Sequence, residues 1–215
     1  MAAGPKSREG FNYMGRLRGP RNKLARRIGE DLGLKTQSEK LARRLAIPPG
    51  QHGHKGKRRL SGFGQQLQEK QKVRLMYGVM ERQFRKYEEE ALKSRSKTGE
   101  MLLQFLERRL DNVVYRLGMA PTRAAARQLA NHGHVRVNNA KVSIPSYRVR
   151  VNDIISFDSK ALGMPTVKAA LTAKKEGVPG WLARQAAVGK VARLPQREDI
   201  PEPITEQLIV EFYSR

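Results

Sequence analysis

The spacing of apolar residues changes once along this chain, and that change limits the possible folds. Between residues 102 and 117, leucine, valine and phenylalanine recur every three or four positions, as they do along one face of a helix. Beyond residue 134, apolar residues alternate with polar ones over short stretches that meet at Asn-containing dipeptides, a pattern typical of β-hairpins. Helices followed by a small antiparallel sheet predict an α+β fold.

Two helices are predicted in the middle of the chain. The first covers residues 100–117, with its apolar face buried, and Gly118 ends it. In the second, Thr122 stands where an N-cap belongs and Gly133 stands just after the last turn, so residues 123–131 are expected to be helical. The pattern therefore indicates a compact helix–turn–helix pair.

Two β-hairpins are predicted to follow this pair. The first covers residues 135–144 with its turn at positions 139–140, and the second covers residues 149–157 with its turn at positions 152–153. Beyond residue 157 the pattern weakens into Pro, Gly, Ala and Lys, and Trp181 is the expected packing anchor there. The sheet is therefore expected to be small.

The flanking regions predict helices joined by loops. A short helix is expected over residues 20–28, and one long helix, which can bend at Gly78, over residues 65–92. Residues 94–99 form a polar, basic turn that is expected to separate two domains. Residues 204–213 fit either a helix face or a strand, and the helix is slightly favoured.

The charge of the chain predicts its class of partner. Basic residues outnumber acidic ones by 43 to 20, which gives a net charge of +23. Residues 1–60 hold 16 basic and 4 acidic side chains, and residues 101–160 hold 10 and 4. Such a charge repels itself unless a polyanion is bound, so these two regions are expected to contact nucleic acid.

The first group of candidate contacts lies in a glycine-rich stretch at residues 50–57. Four cations lie within this stretch or directly after it, namely Lys55, Lys57, Arg58 and Arg59. A backbone rich in glycine can follow the irregular phosphate surface of a structured RNA. The alternative interpretation is a flexible basic linker or a localisation signal.

The second group of candidate contacts lies on predicted regular structure. Arg123 and Arg127 are four positions apart and share one helix face, Arg116 ends the preceding helix, and Arg136 and Lys141 belong to the first hairpin. Guanidinium groups held in a fixed array bind phosphates bidentately. We expect Arg123 and Arg127 to lie on an exposed face.

The sequence offers little support for catalysis or metal binding. Asp111 follows Arg-Leu as in the motif of pseudouridine synthases, but it lies inside a predicted helix, where a surface charge or an ion-pair partner is the simpler interpretation. The His-Gly-His segments at 52–54 and 132–134 lack a further ligand nearby, and the chain has no cysteine. No apolar run reaches the length of about 18 residues that a membrane helix needs. We therefore expect no catalytic residue, cofactor, metal, small-molecule substrate or membrane contact.

Several motifs resemble those of a known family. Residues 106–118 read Leu-Glu-Arg-Arg-Leu-Asp-Asn-Val-Val-Tyr-Arg-Leu-Gly, and residues 124–146 contain Ala-Arg-Gln-Leu, His-Gly-His-Val and Ile-Pro-Ser; both resemble the S-four RNA-binding domain. Pro-Pro-Gly-Gln-His-Gly at 48–53, Glu-Lys-Gln-Lys at 69–72 and Glu-Phe-Tyr-Ser-Arg at 211–215 are similar to the bacterial-type ribosomal protein four family of the small subunit. The chain resembles the cysteine-free form of that family, so the zinc site of some relatives is excluded.

The resemblance implies a function and a domain arrangement. It implies a primary binder of 16S rRNA that nucleates assembly of the small-subunit body, contacts ribosomal protein five and other small-subunit proteins, and borders the channel through which mRNA enters. A cytoplasmic ribosome is expected in preference to an organellar one. Residues 17–99 and 190–215 are expected to form a mostly helical rRNA-binding domain, with an S-four-type domain inserted at 100–189. Residues 1–16 are expected to be a disordered extension.

The expected RNA contacts combine both basic groups with cations in the family-like motifs. They are Arg18, Lys23, Arg26, Arg27, Lys55, Lys57, Arg58, Arg59, Lys70, Lys72, Arg74, Arg116, Arg123, Arg127, His134, Arg136 and Lys141. One departure from the family is Asn139, which stands where a turn glycine is usual; Asn tolerates positive φ, so the hairpin should form. The alternative function is an RNA-modifying enzyme that uses the same module as its anchor.

Overall fold

A computed structural model describes residues 19–35, 39–56, 59–94, 96–173 and 177–214. Over these ranges the chain forms ten α-helices and five strands, which confirms the α+β class. The predicted extension at 1–16 lies outside the described residues, as do Arg18, Lys57 and Arg58.

The elements follow one another in two halves. The first half contains α1 (Arg21–Ile28), α2 (Glu39–Arg44), a 3-10 turn (Gly53–Lys55), α3 (Gly62–Met76), α4 (Glu81–Leu92) and α5 (Thr98–Glu107). The second half contains α6 (Leu110–Arg116), α7 (Arg123–Asn131), β1 (Val135–Val137), β2 (Ala140–Lys141), β3 (Ile154–Phe157), α8 (Ser159–Leu162), α9 (Pro165–Thr172), β4 (Leu182–Gln185), β5 (Val188–Val191), a 3-10 turn (Arg197–Asp199) and α10 (Glu206–Tyr213).

A first hydrophobic core is built by helices from both ends of the chain. α10 packs against α3 and α5, and α4 packs against α5. Phe84, Leu103, Leu106 and Ile209 are fully buried there, together with other apolar side chains of these helices. The returning C-terminus is therefore part of the N-terminal core, and the helix favoured for residues 204–213 is confirmed.

A second core lies between the α6–α7 pair and the sheet. The sheet is antiparallel throughout, with the order β2-β1-β3-β5-β4. Val137 pairs with Ile155 between β1 and β3, and both side chains are buried against the helices. Trp181 is also fully buried, which confirms it as a packing anchor.

Both long predicted helices are interrupted, and each interruption has a backbone cause. The helix expected over 65–92 is instead two helices, α3 and α4. The positive φ of Gly78, +63°, is incompatible with a right-handed helix, so α3 ends just before it. The helix expected over 100–117 ends at Glu107 and restarts at Leu110, since Arg109 is extended and bridges to Arg148. Its apolar face is consequently divided between the two cores.

The position of this second break changes the interpretation of the 94–99 turn. α4 and α5 flank that turn, and both belong to the first core. The turn therefore does not separate two packed units, because the change from one core to the other occurs near Arg108 and Arg109.

The strand predictions are confirmed in part. The first hairpin forms, but its turn is Asn138–Asn139, with φ of 49° and 66°, one residue earlier than predicted. The positive φ expected for Asn139 is confirmed. The second hairpin is wrong, since residues 149–151 form no strand and β3 pairs with β1 and β5 instead.

Candidate nucleic-acid interface

A buried carboxylate, Glu107, joins the two cores. It lies at the end of α5 with no exposed surface. The Tyr77 hydroxyl donates to its Oε1 at 2.6 Å, Asn112 Nδ2 donates to its Oε2 at 2.7 Å, and Arg116 Nη2 donates to its Oε1 at 2.6 Å. Burial and the nearby Glu107 raise the pKa of Tyr77 well above 10, so the phenol stays protonated and keeps donating.

Glu202, just before α10, extends this network to the C-terminal segment. Arg116 Nη2 donates to its Oε2 at 2.7 Å, and Arg123 Nη2 donates to its Oε1 at 2.9 Å. Burial raises the pKa of Glu202, but the two guanidinium groups outweigh it and lower that pKa from 4.5 to about 2. The Arg123 guanidinium also lies 5.0 Å from the Tyr77 ring and 4.6 Å from the Tyr115 ring. Arg116 and Arg123 are thus held and neutralised inside the protein.

The expectation that Arg123 and Arg127 share an exposed face is therefore wrong for Arg123. Arg123 is 8% exposed, because the face of α7 that carries it packs on the boundary between the two cores, which we call the seam. Arg127, one turn further, is partly exposed; its Nη1 donates to Gly78 O at 3.3 Å and lies 3.7 Å from Asp111 Oδ2.

A second group of ion pairs lies at the same seam, around Arg109 and Arg148. Arg109 donates twice to Asp111, at 3.1 and 2.7 Å, and donates to the Tyr87 hydroxyl at 2.8 Å. Arg148 makes a bidentate pair with Glu90, with 2.5 Å between Nη2 and Oε2. Asp111 is therefore a buried ion-pair partner, as the simpler interpretation expected.

Three further candidates, Lys70, Lys72 and Arg74, also contact carboxylates of the protein. Lys70 Nζ lies 2.8 Å from Glu81, Lys72 Nζ lies 2.7 Å from Glu30, and Arg74 Nε lies 3.6 Å from Glu81. Both lysines are buried, because α3 packs beneath α10 and the chain before it. They lie in the interior rather than on a basic surface.

The exposed candidates cluster on α1 and on the glycine-rich turn. Lys23, Arg27, Lys55 and Arg59 are exposed, and within the described ranges none of these four side chains has a protein partner. Arg26 differs, since its guanidinium donates to the backbone oxygens of residues 47 and 48 at 2.9 and 3.2 Å and so attaches α1 to that turn.

The glycine-rich turn is shaped by a close backbone approach. A Cβ on Gly53 would lie 2.1 Å from the carbonyl oxygen of Pro48, so only glycine fits there. The two hydrogen bonds from Arg26 and this tight packing define the path of the backbone before Lys55. Lys55, the cation of this turn within the described residues, is therefore presented on a defined backbone.

The hairpin supplies a smaller basic surface. Arg136 is part-buried and pairs with Asp158 at 3.0 Å, and the Lys141 side chain crosses the surface over Gly133. His134 is half-buried, with its ring centroid 6.2 Å from that of His132. Among these candidates Lys141 is the exposed cation.

Two polar residues of α7 were missed in the sequence interpretation. Gln128 and Asn131 are exposed on the helix surface next to Arg127. Their spacing from Ala124 and from each other is the i, i+4 and i, i+3 pattern of one helix face, which the sequence does contain. The prediction from charge does not include them, because amide side chains are neutral. Amides can nevertheless hydrogen-bond to the edges of bases.

In the described part of the chain, no cluster of three or more His, Cys, Asp or Glu side chains could hold a metal ion. No helix in those ranges is long and apolar enough to span a membrane.

Comparisons with known proteins agree with this architecture. A family model described as ribosomal protein S4/S9 N-terminal domain matches residues 16–107, and one described as S4 domain matches residues 108–155. The border between the two matches coincides with the change of core at Arg108.

Relatives match over nearly the whole chain. The small ribosomal subunit protein uS4 of Mycobacteroides abscessus is 52% identical over 208 residues, and that of Brevibacillus brevis is 50% identical over 204 residues. The uS4 protein of Parabacteroides distasonis is 48% identical over 204 residues. Each alignment covers 94% of this chain and 100% of the relative. The chain therefore belongs to the uS4 family of small ribosomal subunit proteins, which are structural constituents of the ribosome and not enzymes.

Proposed function

We propose that this protein is a primary binder of 16S rRNA in the body of the small subunit and that it nucleates assembly there. The observation that carries the proposal is the separation of two kinds of cation. Buried cations such as Arg116, Arg123 and Lys72 are paired with carboxylates, whereas Lys23 and Lys55 are exposed and have no such partner among the residues that the structure describes. Unpaired cations held on an ordered surface are what a phosphate backbone binds.

This separation divides the candidate residues into two roles. The exposed or part-exposed members would contact RNA: Lys23, Arg26, Arg27, Lys55, Arg59, Arg74, Arg127, His134, Arg136 and Lys141. The buried Arg116 and Arg123 would hold the two cores at a fixed angle, so that the surfaces on α1, the glycine-rich turn and α7 reach one RNA together, and the buried Lys70 and Lys72 would stabilise the first core. Arg18, Lys57 and Arg58 keep the RNA-binding role that the sequence predicts for them.

We also propose that the glycine-rich turn and the cations directly after it border the channel through which mRNA enters. Lys55, Lys57, Arg58 and Arg59 would hold a single strand electrostatically as it arrives. Replacing all four by Ala should slow translation through a hairpin near that channel more than translation of an unstructured message. Loss of subunit assembly with unchanged hairpin sensitivity would instead make these residues rRNA anchors.

The proposal includes neighbours in the subunit, ribosomal protein five among them. Membership of the family supports this contact. Its test is the copurification of ribosomal protein five with assembly particles that contain or lack this chain.

The direct test of rRNA binding compares two variants of equal charge. One replaces Lys23, Arg27, Lys55 and Arg59 by Ala, and the control replaces the exposed Lys93, Lys160, Lys168 and Lys190. Filter binding to a 16S rRNA transcript should show a weaker complex for the first variant and a nearly unchanged one for the control. Equal weakening in both would contradict a defined interface.

A further inference from the structure

A narrow groove of about 210 Å³ lies between α7 and the segment around α1 and α3. Its floor is apolar and comes from Leu34, Leu75 and Met76; Leu75 and Met76 are buried in the first core. Its rim is polar, and Arg21, Arg127, Gln128 and Asn131 line it. We call this feature the α7 groove.

The floor of the groove suits the flat face of an unstacked base. RNA-binding proteins recognise single-stranded or bulged bases by stacking them on apolar, aromatic or guanidinium surfaces. Its volume of about 210 Å³ can hold a group of the size of one base.

The rim supplies groups that can recognise the edge of such a base. Gln128 and Asn131 each carry an amide with both a donor and an acceptor, and both residues are exposed. Ala124 precedes Gln128 by one helical turn and lines the same groove, so the small side chain leaves the opening clear. Paired donors and acceptors are what distinguishes one base from another.

Two guanidinium groups flank the opening. Arg21 Nη1 donates to Leu34 O at 2.9 Å, and Arg127 Nη1 donates to Gly78 O at 3.3 Å and lies 3.7 Å from Asp111 Oδ2. A guanidinium carries five donors, so both retain N–H groups for a phosphate next to the bound base. Charge therefore favours a nucleotide over a neutral ligand.

We propose that the α7 groove takes up one unpaired nucleotide of the bound RNA, with the base on the apolar floor and its phosphates at Arg21 and Arg127. The inference rests on the proposed rRNA binding and adds a base-specific contact to a surface that otherwise grips phosphates. It also assigns a role to Gln128 and Asn131, which carry no charge.

The test uses the full chain and a 16S rRNA transcript. Gln128→Ala combined with Asn131→Ala removes both amides, and Gln65→Ala combined with Gln207→Ala removes two exposed amides outside the groove as a matched control. A third variant, Ala124→Phe, fills the groove without removing any polar group. Base reactivity towards dimethyl sulfate, kethoxal and a carbodiimide is measured together with the hydroxyl-radical footprint of the backbone.

We expect the wild-type protein and the control to protect at least one unpaired base that becomes reactive in both groove variants, with an unchanged backbone footprint. Affinity should fall about tenfold in the double amide variant, the effect of losing one good base contact. The slope of log affinity against log salt should stay the same, because no cation is removed.

Three results would overturn the inference. Base reactivity identical to that of the control would show that no base enters the groove, although rRNA binding itself would stand. A reduced salt slope in the double amide variant would assign the loss to phosphate contacts instead. Absence of RNA binding by the wild-type chain would contradict the proposed function as well.

Discussion

At the scale of single residues, Glu202 shows how burial and charge are coupled in this protein. Its pKa is lowered to about 2 in the folded state, against an ordinary value of 4.5, so its carboxylate stabilises the fold. A lowered folded pKa contributes stability above the unfolded pKa, and that contribution is lost as the pH falls towards 2. A shift of this size corresponds to about 3 kcal/mol.

Glu202→Gln should therefore lower the free energy of unfolding by about 3 kcal/mol at pH 7. Urea unfolding at pH 7, 4 and 2.5 measures this difference between variant and wild type. The two proteins should converge as the pH decreases, since the wild-type carboxylate then becomes protonated. A constant difference across this range would show that Glu202 acts through packing rather than charge.

Arg123 and Lys23 are both basic, but their environments predict opposite effects on stability. Arg123→Ala removes the partner of Asn112 and one of the two guanidinium partners of Glu202. The buried network of Glu107, Glu202 and Arg116 is then left with one uncompensated negative charge, which should cost about 3–5 kcal/mol. Lys23→Ala, at an exposed position on α1, should stay within about 0.5 kcal/mol of wild type. Chemical unfolding of the two variants measures this contrast, and equal stability would contradict the buried network.

The sequence could not show this contrast, because the partner of Arg123 is far away in the chain. Arg123 and Glu202 are 79 positions apart, and Arg116 and Glu202 are 86 apart. Spacing placed Arg123 and Arg127 on one face of α7, but it did not show that Arg123 is buried there. Which guanidinium groups would be neutralised depends on the return of the C-terminus across the seam, which no local pattern encodes.

At the scale of elements, the β1–β2 turn tests local backbone preference. Asn138 and Asn139 both adopt positive φ, which fits a tight two-residue turn. Asn139→Val should destabilise the protein by about 1–3 kcal/mol, because a β-branched residue is strained at positive φ. Asn139→Gly should be neutral or slightly stabilising. Thermal unfolding of both variants checks the order, and an unaffected Val variant would contradict this turn geometry.

Elements with strong local signals were predicted, and elements that depend on tertiary contacts were not. Thr122 caps α7 by accepting a hydrogen bond from the Ala125 N–H at 3.2 Å, as its sequence position predicts. The β4–β5 hairpin was missed because Gly189 interrupts its apolar alternation. That glycine is explained only by tertiary packing, since a Cβ there would lie 2.3 Å from Leu117.

The sheet topology also determines which fragment of the chain is expected to fold alone. A fragment of residues 100–160 lacks β5, the partner of β3, and lacks Trp181 from its core. It also exposes the α5 side chains that pack in the first core. We therefore expect residues 100–160 not to fold on their own.

We expect residues 108–193 to unfold cooperatively as an isolated fragment, because they contain the whole second core and all five strands of the described sheet. Residues 100–160 should show no cooperative transition. Near-ultraviolet circular dichroism during heating distinguishes the two, since Trp181 reports fixed packing in the longer fragment. A cooperative transition in residues 100–160 would contradict the role given to β5.

At the scale of the whole molecule, the two cores and the charge distribution act together. The ion pairs of Arg116, Arg123 and Arg148 join the first core to the second. We propose that they orient the exposed cations of α1 and the glycine-rich turn and the part-exposed Arg127 towards one RNA. The net charge of +23 is the excess that remains after all 20 acidic side chains are counted, so it is left for a polyanionic partner to compensate.

The salt dependence of binding to 16S rRNA tests this account most directly. If about 6–10 phosphates are neutralised, the affinity should fall by about 10³–10⁵ between 50 and 200 mM salt. The slope should be reduced by about one for each of Lys23, Arg27, Lys55 and Arg59 that is replaced by Ala. A flat salt profile, or a slope unchanged in the variant without these four cations, would contradict the proposed interface.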